Sequence, residues 1–171
     1  METKQTHIPY GLLSGIAMII ISVILKFAGV DLKSGLQYLA YIPFLAGIIM
    51  AGMAFSKAND GFVTFGNVFG SCFKAAIIVT LLIVAWSIIS IYLFPDMKEK
   101  ALATAREAMM KDKRTTDEQI DMVMGITKKY WTPILIGSAL LGTLFYGAIF
   151  SLIGAAVAKK NGPRPFTTDS F

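Results

Sequence analysis

The residues from Asn59 to Lys74, NDGFVTFGNVFGSCFK, gather three glycines, the one cysteine of the chain and a lysine. Gly61 and Gly66 stand at the spacing that opens a phosphate-binding P-loop. That loop closes with Gly-Lys-Ser/Thr after a buried strand, because the lysine and the hydroxyl must reach the phosphates and their metal ion. Asn67 and Val68 follow Gly66 instead, so both groups are missing and nucleotide chemistry is set aside. A smaller phosphate site is left. Free amides at a helix start attract anions, and a helix capped by Thr64 puts Thr64, Phe65 and Gly66 at such a start. Lys74, further along the same helix, is the predicted second contact to a lipid head group.

The remaining reactive groups are scattered. His7 is the single histidine and has no cysteine or carboxylate cluster at metal-ligand spacing beside it. It reads as a solvated residue ahead of the first apolar run. Cys72 lies on an apolar helix, where cysteine behaves as a small buried hydrophobe. Asp96, Glu99, Glu107, Asp112, Asp117, Glu118 and Asp121 are interleaved with lysines and arginines, the pattern of a solvated helix face with i,i+4 pairs. No catalytic, cofactor-binding or metal-binding set can be assembled, which predicts a non-enzymatic protein without a cofactor.

The elements that carry these residues follow from composition. Of the 171 residues 55% are apolar and 16% charged, against roughly a quarter charged in soluble domains. Four uncharged runs, Ile8 to Leu25, Leu36 to Phe55, Ala75 to Phe94 and Trp131 to Ala158, match the roughly 20 residues that cross a hydrocarbon core about 30 Å thick. The predicted fold is an all-α integral membrane protein, one domain over 1–171 with spans at about 8–29, 36–55, 65–94 and 131–158. The first run is read as a retained span, since METKQTH has one lysine and no Ala-x-Ala cleavage pattern follows before Lys33. The net charge of +5 flanks the spans and forms no single basic face with aromatics. That fits a lipid bilayer as partner and excludes nucleic acid.

Between the third and fourth spans the chain turns polar. Pro95 stops one helix, and Asp96 with Glu99, then Thr116 with Gln119, have the spacing of two capping boxes. The prediction for 96–130 is an amphipathic helical hairpin outside the bilayer. Its methionines, Met97, Met109, Met122 and Met124 among them, make an adaptable surface for partner docking, or pack the two helices on each other.

Helices associate in lipid through small residues that let backbones approach. Gly11 and Gly15, Gly47 and Ala51, Gly66 and Gly70, and the ridge of Thr143, Gly147, Ser151 and Ala155 each offer such a contact, for a bundle or a homo-oligomer. Ionisable groups at membrane depth mark ion and proton pathways, and the span interiors have none, which argues against a proton-coupled transporter. Lys26 and Lys74 stand at span ends, where snorkelling explains them.

GFVTFGNVFGSCFKA, MGITKKYWTP and AAVAKKNGP, with YGLLSG in the first span, resemble the four-span bacterial membrane proteins grouped as domain of unknown function four-one-nine-nine. The resemblance runs over nearly the whole chain. It implies a multi-pass protein of the bacterial inner membrane, brings no established activity, and suggests a polyprenyl-phosphate glycosyltransferase as a membrane-protein partner. The leading expectation is an accessory or assembly subunit of a membrane complex. The alternative is a small transporter or channel for a neutral or lipid-like solute, and an intramembrane enzyme comes third. Alternating spans put Lys4, Lys57, Lys74, Lys159, Lys160 and Arg164 on one side and the remaining lysines and arginines on the other. Counting those charges places the hairpin in the cytoplasm, whereas the acids that accompany it and the basic tail lean the other way, and orientation stays open.

Overall fold

The computed structural model describes residues 5–30, 35–111 and 115–161. Among them are six α-helices, one 3₁₀ turn (Gly35–Ala40) and no strand. The helices are α1 (His7–Phe27), α2 (Tyr41–Ala58), α3 (Phe65–Leu93), α4 (Asp96–Lys111), α5 (Asp117–Lys129) and α6 (Trp131–Val157). Four of them, α1, α2, α3 and α6, are long and apolar enough to cross a membrane, the second counted with the end of the 3₁₀ turn.

Hydropathy alone predicts one helix over 36–55. The structure instead has the 3₁₀ turn first, then an α-helix from Tyr41 to Ala58. Pro43 accounts for the difference. It has no amide to donate to the Leu39 carbonyl, and its ring crowds that carbonyl, so an α-helix accommodates it only within its first turn. Pro133 occupies the same third position of α6, and a break at Tyr130 separates α6 from α5.

The helix ends use local chemistry. Thr64 Oγ1 accepts the Asn67 amide at 3.3 Å. Thr116 and Gln119 close a reciprocal capping box at the start of α5. Asp96, expected to cap α4, lies inside its first turn, and its carboxylate accepts from Lys100 Nζ at 3.0 Å. That ion pair replaces the cap because Asp96 and Lys100 share a helix face. At the end of α2, the Gly61 amide donates to Ser56 O and the Asp60 amide to Lys57 O, the pair of bonds of a Schellman motif. Its left-handed position is held by Asp60, with φ of 54°, where glycine is usual.

α1 and α6 each pack against both α2 and α3, and α2 also touches α3 across the bundle. The fully buried side chains include Phe44, Ile48, Val68, Cys72, Val79 and Ser151. All the burial of the long helices lies toward one end: α1 has no buried residue after Met18, α3 none after Thr80, and α6 none before Thr143. Because α2 begins only at Tyr41, the other half has the 3₁₀ turn in place of a fourth helix. The basic tail from residue 162 onward and Asp112 lie outside the described residues.

Candidate functional site

At the close-packed end, the segment after α6 is tied to the connection between α2 and α3. The Ser56 hydroxyl donates to Lys159 O, the Asn161 amide donates to Gly61 O at 2.7 Å, and Asn161 Nδ2 donates to Asp60 O at 2.8 Å. Gly61 is needed there, since its φ is +77° and a Cβ on it would stand 2.5 Å from Asn161 Nδ2. Lys160 turns back to cap α6, with Nζ 2.6 Å from Ala155 O and 2.9 Å from Ala158 O. These bonds build the wall of an open groove of about 720 Å³. Met50, Met53, Ala54 and Lys57 line it from α2, Tyr10 from α1, Val157 from α6, and Asp60, Lys159 and Asn161 from its polar rim.

The expected small-residue contacts divide into two groups. On α1, a Cβ at Gly11 would stand 2.9 Å from Ala75 O and one at Gly15 2.5 Å from Leu82 Cδ1, so both lie against α3. Gly47 lies against Ser14 and Tyr10 of α1, and Ala51 is fully buried. A Cβ at Gly147 would be 2.8 Å from that of Ala76, and Ser151 and Ala155 are fully buried. Gly66 and Gly70 are different. A Cβ on Gly70 meets nothing within 4 Å, and one on Gly66 meets only Thr64 Oγ1 at 4.0 Å. The inward stripe of α3 is Val68, Cys72, Ala75, Ala76 and Val79, and each glycine precedes a stripe residue by two positions, about 200° around the helix. The GxxxG pair of α3 is therefore not a packing seam of this chain.

The seam that α3 does use involves Cys72, the small residue expected to be buried on this apolar helix. Its Sγ donates to Ile48 O at 3.4 Å, and Cβ atoms on Gly52 of α2 and Gly154 of α6 would stand 2.7 and 3.0 Å from it. Gly154 lies three residues beyond Ser151 on the α6 ridge, a spacing that could have identified it.

The predicted head-group contacts separate. Thr64, Phe65 and Gly66 are exposed at the start of α3, and Lys160 Nζ lies 5.9 Å from the Phe65 ring centroid. Lys74 is about 15 Å further down the helix at 1.5 Å per residue, close enough to His7 for their charges to interact. Lys26 lies in the last turn of α1, next to the start of α4. Its Nζ is 3.1 Å from the Phe94 ring centroid and 3.8 Å from an Asp96 oxygen, buried and without a hydrogen bond, an arrangement held by cation–π attraction and charge.

Beyond Asp96, α4 contains no buried residue and α5 only Ile120. Arg106 Nη2 meets Asp121 at 2.9 Å between them. Of the expected docking methionines, Met122 is 68% exposed, whereas Met97, Met109 and Met124 are half-buried. Met110, Val123 and Ile126 are exposed as well.

The family described as Protein of unknown function (DUF4199) matches residues 9–160. The chain belongs to this family. The match takes in α1 from residue 9 and the whole of α2 to α6. No curated protein and no solved structure matches it.

Proposed function

We propose that the protein is a multi-pass protein of the inner membrane, not an enzyme, whose bundle carries α4 and α5 outside the bilayer as a docking element for a partner in a membrane complex. The observation that carries this reading is the contrast in burial. The long helices bury glycine, alanine and serine seams, while α4 and α5 leave Met110, Met122, Val123 and Ile126 exposed among charges. A helix pair that adds almost nothing to the core, yet displays adaptable apolar side chains, is suited to a protein surface. A polyprenyl-phosphate glycosyltransferase is the partner suggested by family resemblance. The transporter reading has less support. Phe44, Ile48, Val68 and Val79 fill the packed half, and Ser14, Thr80, Thr143 and Ser151 donate within their own helices, which leaves little to line a polar path.

The experiment is affinity purification in mild detergent of the full chain and of a Met110→Glu/Met122→Glu variant. The partner is expected to be lost from the variant while the melting of the bundle is unchanged. Identical co-purification from both would remove the docking role. Release of the protein from membranes by alkaline carbonate would remove the membrane reading itself.

A further inference from the structure

The groove at the close-packed end has a chemistry that neither the docking role nor the helix seams use. Met50, Met53, Ala54 and Lys57 recur at i, i+3, i+4 and i+7, one continuous face of α2. Met50, Met53 and Val157 are each more than half exposed, so the floor is open apolar surface. The rim is charged, with Lys57 and Lys159 against Asp60. Among the described residues neither lysine is in an ion pair, whereas Lys160 is occupied by the carbonyls at the end of α6. The rim carbonyls of Lys159, Gly61 and Asp60 already accept hydrogen bonds from the clamp. What remains for a ligand is the two ammonium groups, with the Asp60 carboxylate and the Tyr10 side chain beside them, along an apolar slot about 10 Å long, the seven-residue rise from Met50 to Lys57 at 1.5 Å per residue.

We propose that this groove binds an anionic phospholipid, with its phosphate on Lys57 and Lys159 and one acyl chain along Met50, Met53 and Val157. A soluble anion has no use for the methionine floor. A net-neutral lipid leaves the surplus positive charge of the rim unmatched, since two lysines face one aspartate. Charge-assisted bonds from the lysines fix the head group, and the exposed Met50 and Met53 of α2 meet the acyl chain. The inference rests on the membrane reading above and replaces the helix start of α3 as the phosphate contact.

The test is native mass spectrometry of the full chain extracted from nanodiscs of equal parts phosphatidylglycerol and phosphatidylcholine. The parent is expected to retain one phosphatidylglycerol. Lys57→Gln/Lys159→Gln is expected to lower that retention by about tenfold, and Met53→Trp, which fills the floor without altering charge, to lower it as well. Lys74→Gln, a lysine of α3 outside the groove, is expected to retain lipid like the parent. Unchanged retention in the double variant overturns the site. So does an equal loss in all the lysine variants, which would mean general surface attraction, or full retention by Met53→Trp. A chain that stays in the bilayer but holds no phosphatidylglycerol refutes this site alone; a chain that never enters the bilayer refutes the membrane reading.

Discussion

In the half of the bundle next to the α2–α3 connection, Gly11, Gly47, Gly52, Gly147 and Gly154 bring backbones so close that an added Cβ would lie within about 3 Å of a neighbour. In the opposite half, Gly137 and Gly142 of the same α6 have nothing within 4 Å of such a Cβ, and no residue of α1, α3 or α6 is buried there. A small residue in an apolar helix is thus no evidence of a contact. What distinguishes the halves is the presence of α2, whose α-helical backbone starts late because of Pro43 and then supplies Phe44, Gly47, Ile48, Ala51 and Gly52 to the core.

The strongest way to break this contrast is a paired substitution on α6. Gly154→Leu places a side chain against Cys72 and the Ile48 carbonyl, and should cost about 1–3 kcal/mol or more through overpacking, read as a lower melting temperature in detergent. Gly142→Leu should stay within about 0.5 kcal/mol of the parent. Equal losses would abolish the distinction between the halves. A smaller effect is expected outside the bundle. Thr116→Ala removes the capping box of α5 and should cost about 1 kcal/mol locally, seen as roughly fivefold faster amide exchange over 117–120, with bundle melting unchanged. A shift of the whole melting curve would show instead that α5 is coupled to the core.

The smallest effect concerns the junction at Asp96. The hydrogen bond from Lys100, and after it the charges of Lys26 and Lys100, hold its carboxyl below the ordinary carboxylate range. Because the folded value is depressed, the tie is fully present above the ordinary carboxylate pKa of about 4 and is lost as pH falls through the lower folded value. Amide protection in the first turn of α4 should therefore drop as pH falls below about 4 in the parent and stay flat in Asp96→Asn. A parallel drop in both proteins would assign the change to another group.

Much of the architecture was legible because hydropathy over whole spans is a strong signal. The uncharged runs mark α1, α2, α3 and α6, Thr64 and Thr116 mark two helix starts, and the ridge Thr143, Gly147, Ser151, Ala155 lies on the buried face of α6. Phase was harder to read than periodicity. Gly66 and Gly70 have the same spacing as Gly11 and Gly15, but only the stripe of Val68, Cys72, Ala75 and Val79 reveals which face of α3 turns inward. Asp96 had a capping pattern and a lysine at i+4, and the ion pair prevailed. The groove could not be read at all, since Tyr10, Met50, Lys57 and Lys159 come together only when α6 returns beside α2.

The clamp at Ser56, Asp60 and Gly61 also sets an order of events. Its acceptors and donors in α2 and the following connection are made early in synthesis, whereas Lys159 and Asn161 emerge only after the whole of α6. Until then the Gly61 and Asp60 carbonyls can be satisfied only by water or by another chain, and the groove lacks one wall. Completion of α6 is thus the step that turns the three earlier apolar helices into a closed unit.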